Sequence, residues 1–135
     1  MITAKIDYQG ELRCAAVHIK SGEQIVSDAP TDNRGKGQAF SPTDLLSTSL
    51  GMCMITIMGI AAQEKEIIFE NVSAAVTKIM SAHPRRVQEI QISFSGNFSS
   101  WGAKEWAIMK NAAETCPVKL SLDPKILITL DWKTL

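Results

Sequence analysis

The stretch Ser41-Pro42-Thr43-Asp44-Leu45-Leu46-Ser47-Thr48-Ser49-Leu50-Gly51-Met52-Cys53-Met54-Ile55-Thr56-Ile57-Met58-Gly59-Ile60-Ala61-Ala62 decides the fold. Ser41 can cap a helix and Pro42 suits the first helical position. Asp44 stands three residues after the cap, where a capping box usually carries Glu or Gln. Leu46, Leu50, Cys53 and Ile57 follow at spacings of four, three and four, which places them on one helical face. Met52, Met54, Ile55, Met58 and Ile60 fill the other faces. A helix apolar on nearly all sides is predicted to be central, covered by a sheet, another helix or a partner subunit. It is expected to end near Gln63 to Glu66, where charge returns. The apolar stretch from Leu50 to Ala62, 13 residues long, falls short of the ~20 that a membrane-spanning helix needs, which argues against a membrane protein.

On the N-terminal side, Ile2, Ala4, Ile6 and Tyr8 alternate with Thr3, Lys5 and Asp7, the period that buries one face of a sheet. Gln9-Gly10-Glu11 reads as a turn, Leu12 to Lys20 as a second strand, Ser21-Gly22-Glu23 as a turn, and Gln24 to Ser27 as a short third strand. The three predict an antiparallel meander. From Asp28 to Ala39 the pattern stops at Pro30, Asp32-Asn33, Gly35 and Gly37. Such a loop is usually solvent-facing, yet loops of this length also cover sites. On the C-terminal side, Asn71 to Met80 and Val87 to Phe94 read as strands on alternating apolar positions. Trp101 to Thr115 reads as an amphipathic helix, and Ile126, Ile128, Leu130 and Trp132 as a last strand. The whole is expected to be one α+β domain over residues 1–135, without repeats or linkers.

Lys+Arg and Asp+Glu each number 14, so the net charge is +0 and a nucleic-acid partner is not expected. The three cysteines, Cys14, Cys53 and Cys116, are too few and too scattered for a disulfide scaffold and fit free thiols in a reducing compartment. The N-terminus resembles no signal peptide, so the cytoplasm is the expected location. Two histidines, His18 and His83, without a Cys-x-x-Cys pair give no support to a zinc site, and no cofactor-binding fingerprint occurs.

Two residues hold the chemical interest. Cys53 lies inside the apolar helix, where a thiol often serves only as a small hydrophobe. Cys116 precedes Pro117, which disfavours helical geometry in the residue before it. Pro117 can equally open a short new helix through Leu120 with Cys116 as its cap. A thiol there sits beside free backbone N–H groups that stabilise a thiolate. The alternative is a cysteine that merely precedes a helix-breaking proline. Cys14, on the parity of Leu12 and Ala16, is expected to fill the core.

Taken together, Phe40-Ser41-Pro42-Thr43-Asp44-Leu45-Leu46, Leu50-Gly51-Met52-Cys53-Met54 and Glu114-Thr115-Cys116-Pro117-Val118 closely resemble the OsmC-like family, which includes the organic hydroperoxide resistance proteins. The resemblance implies antiparallel strands around a central helix and an intertwined homodimer. It implies a thiol-dependent peroxidase in which Cys53 attacks a small organic hydroperoxide, Cys116 resolves it, and an external dithiol restores both. It also implies a carboxylate and an arginine beside the reactive thiol. Here the sequence departs from the peroxidase branches: Thr43 stands where they carry glutamate, and Asp44 would point roughly 100° away around the helix. No motif assigns the arginine; Arg13 and Arg34 are the candidates. The rival readings are a non-catalytic binding or redox-sensing protein that uses the same pocket, and a relative whose thiols only fill the core.

Overall fold

Glu11 and Leu12 both adopt positive φ, 52° and 65°, the requirement of a tight two-residue hairpin turn. They join β1 (Ala4–Gly10) to β2 (Arg13–His18), and β3 (Gln24–Asp28) continues the meander. The structure, a computed structural model, describes residues 1–135. Its remaining elements are α1 (Pro42–Lys65), β4 (Ser73–Ala82), β5 (Arg85–Gly96), α2 (Ala103–Glu114), α3 (Pro117–Ser121) and β6 (Leu127–Thr134). The class is α+β, as expected. Contacts group the chain into two units, Met1–Leu46 and Ser47–Leu135.

In the first unit, β1, β2 and β3 form an antiparallel sheet in that order. Ile6 pairs with Ala16 and Ala16 with Ile25; Tyr8 pairs with Cys14 and Cys14 with Ser27. These rungs set the apolar positions on one face, as a period of two requires. The face is nevertheless open: Ile6 is 69% exposed, Tyr8 66% and Ile25 54%. The expected burial of this face is therefore absent within one chain. Cys14 is half-buried beside that open face, so it does not fill a core.

The loop after β3 is closed on itself. Asp28 N donates to Phe40 O at 3.0 Å, and Gln38 N donates to the Asp28 carboxylate at 2.9 Å. Gly35 is required by close approach, since a Cβ there would overlap the carbonyl of Ala29. The start of α1 follows the sequence closely. Asp44 N donates to Ser41 Oγ at 3.0 Å and Ser41 N to Asp44 Oδ2 at 2.9 Å, a capping box closed by Asp.

The second unit holds the apolar core. Sheet order is β4-β5-β6, with β4 antiparallel and β6 parallel to β5. Val76, Ile92 and Leu130 form one inward rung, and Ala74, Phe94 and Trp132 the next. β4 and β5 run further than their apolar positions indicated, leaving only His83 and Pro84 between them. Trp101 lies before α2 rather than in it; its buried indole donates Nε1–H to Ile68 O at 2.8 Å.

The core-facing line of α1 is Ser47, Leu50, Gly51, Met54, Met58 and Ala62. Of the face that the spacing singled out, only Leu50 lies on this line: Leu46 is exposed, and Cys53 and Ile57 are half-buried. Gly51 decides the line, because an ideal Cβ there would stand 3.0 Å from Val76 Cγ2 and the helix settles on the sheet at that point. At 24 residues α1 is also longer than its apolar centre suggested, so the length argument against a membrane span fails. By length and composition α1 would pass for such a span. Its buried face instead makes it a core helix of a mixed fold.

Phe98 is 2% exposed and touches all three tryptophans, with ring centroids 4.4 Å from Trp101, 5.6 Å from Trp106 and 6.1 Å from Trp132. Phe98→Ala should cost about 3–5 kcal/mol, read by urea unfolding. The folded variant should show red-shifted tryptophan emission; unchanged stability and emission would refute this account of the core.

Candidate functional site

Cys116 is reached at the end of α2, where Thr115 Oγ1 donates to Asn111 O at 2.8 Å and the helix stops. Pro117 takes the first position of α3, and Cys116 becomes its N-cap in extended geometry (φ −65°, ψ 143°). Of the two open readings of Cys116, the cap is the one adopted. The reason is local: proline has no N–H to lose at the first helical position and its φ is already helical. The Cys116 side chain accepts from Lys119 N at 3.4 Å, and Val118 N also donates to it. A salt link between Lys119 and Glu114 ties α3 back to the end of α2.

Cys116 is wholly buried, 0% exposed, with Cys53 as the neighbour that acts on its thiol. Both thiols are free. Burial pushes the Cys116 thiol above its ordinary range, the two backbone donors pull it back in part, and Cys53 adds to the rise. Cys116 is thus held protonated, with an S–H that can be donated to its neighbour. Cys53 is half-buried on α1, packed against the core on one side. Next to it the helix carries a bare ridge of Met52, Thr56 and Ile60, with Met52 65% and Ile60 47% exposed. Fold geometry thus brings together two of the six residues singled out from the sequence.

The other four belong to the first unit. Thr43 Oγ1 lies 3.2 Å from Ser41 Oγ, and Asp44 is engaged in the capping box, so both serve the helix start. Arg13 makes a two-pronged bond to Asp28, Nε to Oδ1 at 2.8 Å and Nη2 to Oδ2 at 3.0 Å. Arg34 is exposed on the loop in left-handed geometry, φ 66°. Asp28 was not singled out as a partner. The pairing follows from the strand register, which sets Arg13 directly opposite Asp28. The Val118 and Lys119 amides were missed as individuals because a backbone donor has no sequence signature.

Three of the surface grooves border residues named above. An apolar cleft of about 250 Å³ in the first unit is lined by Ile6, Cys14, Ala16, Ile25, Ser27, Pro42 and Leu45. An adjoining one of about 270 Å³ reaches Tyr8, Asp28 and Asn33. A third, about 480 Å³, runs beside α3 and β6 past Lys119, Leu120, Lys125 and Leu127. No group of three His, Cys, Asp or Glu side chains is arranged to hold a metal ion.

Asp28 is 4% exposed, and its carboxyl is held below the usual range, first by the Arg13 guanidinium and then by the Gln38 and Ala39 amides, against the cost of burial. A depressed folded pKa means that the contribution is complete above the unfolded value and lost as pH falls through the folded one. The loop should therefore stay pinned from neutral pH down to about 4 and loosen below it. Amide exchange at Gln38 should report this, and Asp28→Asn should raise that exchange already at neutral pH. Equal protection in variant and parent would refute the pinning role.

The model of the OsmC-like protein family matches residues 35–131. A crystal structure from Psychrobacter arcticus 273-4, provisionally described as an osmotic stress induced and detoxification response protein, is 48% identical. The alignment covers 98% of this chain and 96% of that one, with a TM-score of 0.93. An organic hydroperoxide resistance protein OsmC from Legionella pneumophila superposes at TM-score 0.73 with 17% identity, covering 98% of each chain. The organic hydroperoxide resistance protein OhrB of Bacillus subtilis does so at 0.67 with 17% identity, again covering 98% of each. At that identity the last two speak for the fold alone. No match was found among curated proteins.

Proposed function

The chain belongs to the OsmC-like protein family, and on that premise we propose that it is a thiol-dependent peroxidase that reduces small organic hydroperoxides. The observation that carries the reading is the meeting of two free thiols, Cys53 and Cys116, from distant parts of the chain. The names of two family relatives, both called hydroperoxide resistance proteins, support the choice of substrate class.

In the proposed cycle the Cys53 thiolate attacks the distal oxygen of the hydroperoxide. The O–O bond breaks, Cys53 becomes a sulfenic acid, and the alkoxide leaves as alcohol, taking a proton for which the Cys116 S–H is the adjacent source. The Cys116 thiolate left by that transfer then attacks the sulfenyl sulfur, the S–O bond breaks, the departing hydroxide takes a proton from solvent to become water, and a disulfide forms. An external dithiol supplies two electrons and restores both thiols. The half-buried Ile57, one turn along α1 from Cys53, favours alkyl over hydrogen peroxide. Three free thiols are consistent with a cytoplasmic setting.

Stopped-flow consumption of cumene hydroperoxide by the reduced protein tests the cycle. Fast oxidation with thiol-dependent turnover is expected in the parent. Cys53→Ser should fall to the uncatalysed rate, and Cys116→Ser should be oxidised once to a sulfenate without forming the disulfide. Oxidation of the parent no faster than free cysteine would overturn the proposal. A parent sulfenate that never turns over would make the protein a redox sensor.

The same reading includes a homodimer. The support is apolar surface left open in one chain: Met52 and Ile60 on α1, and Ile6, Tyr8 and Ile25 on the first sheet. Obligate homodimers commonly bury about 2,000 Å² or more of such surface. Apolar burial is not screened by salt, so sedimentation at ~1 µM protein and ~0.5 M NaCl should show the dimer. A stable 14.8 kDa species would overturn it.

A further inference from the structure

Two sulfurs that form one disulfide offer a reductant two points of attack, and the fold makes them unequal. Cys116 is wholly buried in a single chain, and any partner subunit can only bury it more. Its sulfur is enclosed by its own cap: Lys119 N approaches at 3.4 Å, and Val118 N donates from the same turn. Pro117 has no N–H, so the first donors of α3 fall to these two residues. Cys53 is only half-buried in the same chain, so of the two cysteines it is the one that is not sealed.

We propose that the reductant attacks Cys53 Sγ and that Cys116 is the departing sulfur, received by the Val118 and Lys119 amides. The inference rests on the dithiol reading above and adds to it the direction in which the disulfide opens. A thiolate RS⁻ forms a bond to Cys53 Sγ, the Cys53–Cys116 bond breaks, and the electron pair leaves on Cys116 Sγ, which then takes a proton. A second thiol of the reductant attacks the sulfur that RS shares with Cys53, forming the reductant's own disulfide and releasing Cys53. Leaving-group quality alone would not choose this direction, because burial works against charge on Cys116. Access chooses it, since exchange requires direct contact with the sulfur attacked. The two amides lower the cost of the charge that access imposes there.

The test uses the full chain carrying Cys14→Ser, which removes the third thiol. Diamide closes the disulfide without any peroxide, so the result is readable whether or not the protein turns over hydroperoxides. A brief exposure to 2-mercaptoethanol, acid quench, alkylation of free thiols and peptide mapping then locate the mixed disulfide. The adduct is expected on Cys53 in about tenfold excess or more, with the alkyl label on Cys116. A predominant adduct on Cys116, an even split, or failure of diamide to form the bond would overturn the inference. As a second reading, 5,5′-dithiobis(2-nitrobenzoate) should react with Cys53 in folded Cys116→Ser about tenfold or more faster than with Cys116 in folded Cys53→Ser. Equal rates would overturn it too.

Discussion

The apolarity of α1 on nearly every side is the constraint on which the rest of this structure depends. A surface helix buries one stripe and solvates the other; α1 has little polar surface to solvate. Its line from Ser47 to Ala62 anchors the core of the second unit, with Gly51 allowing it to settle against Val76. The same continuous helix places Cys53 at the margin between that buried line and an open ridge. A thiol in the buried line would be inert packing, and one on the ridge would have no protein neighbour. At the margin it meets Cys116 and retains an approach from outside.

The first unit has the opposite character. It contributes no residue to the apolar core cluster, and its buried residues are Asp28 and Ser41, both polar. Its order comes from hydrogen bonds and chain geometry: the Glu11–Leu12 turn, the Arg13–Asp28 pair, and the amides of the 28–40 loop directed at one carboxylate. Three strands with an uncovered apolar face have little independent stability. The open face of the sheet and the open ridge of α1 are both apolar surface that a single chain leaves uncovered.

The departure at Thr43 is also a matter of local chemistry. Thr43 and Asp44 are taken up by the start of α1, where Asp44 closes the capping box and Thr43 adjoins the cap hydroxyl. The proposed cycle therefore uses no carboxylate from these positions. Beside Cys53 stands Cys116, whose thiol burial pushes above its ordinary range.

Local and periodic features were legible in the chain. The Ser41 cap, the Pro42 start, the end of α1 near Lys65, the meander and the inward parity of Ile90, Ile92, Ile128 and Leu130 all follow from interactions within a few residues. The capping position of Cys116 was legible as one of two readings, because Pro117 constrains both. The facing of α1 was not legible, because a helix apolar all round contains no information about which side is covered. The choice lay with Gly51, whose missing side chain matters only once Val76 is opposite it. Nor could the chain reveal the fate of Arg13, which looked like a free guanidinium until strand register set Asp28 across from it. The sequence by itself determined which residues form each element and where two reactive thiols lie along the chain. Only the tertiary structure decided that the two thiols are neighbours, and that one is wholly buried and the other half-buried. Burial and contact between distant segments depend on the packing of whole elements, which no local pattern encodes.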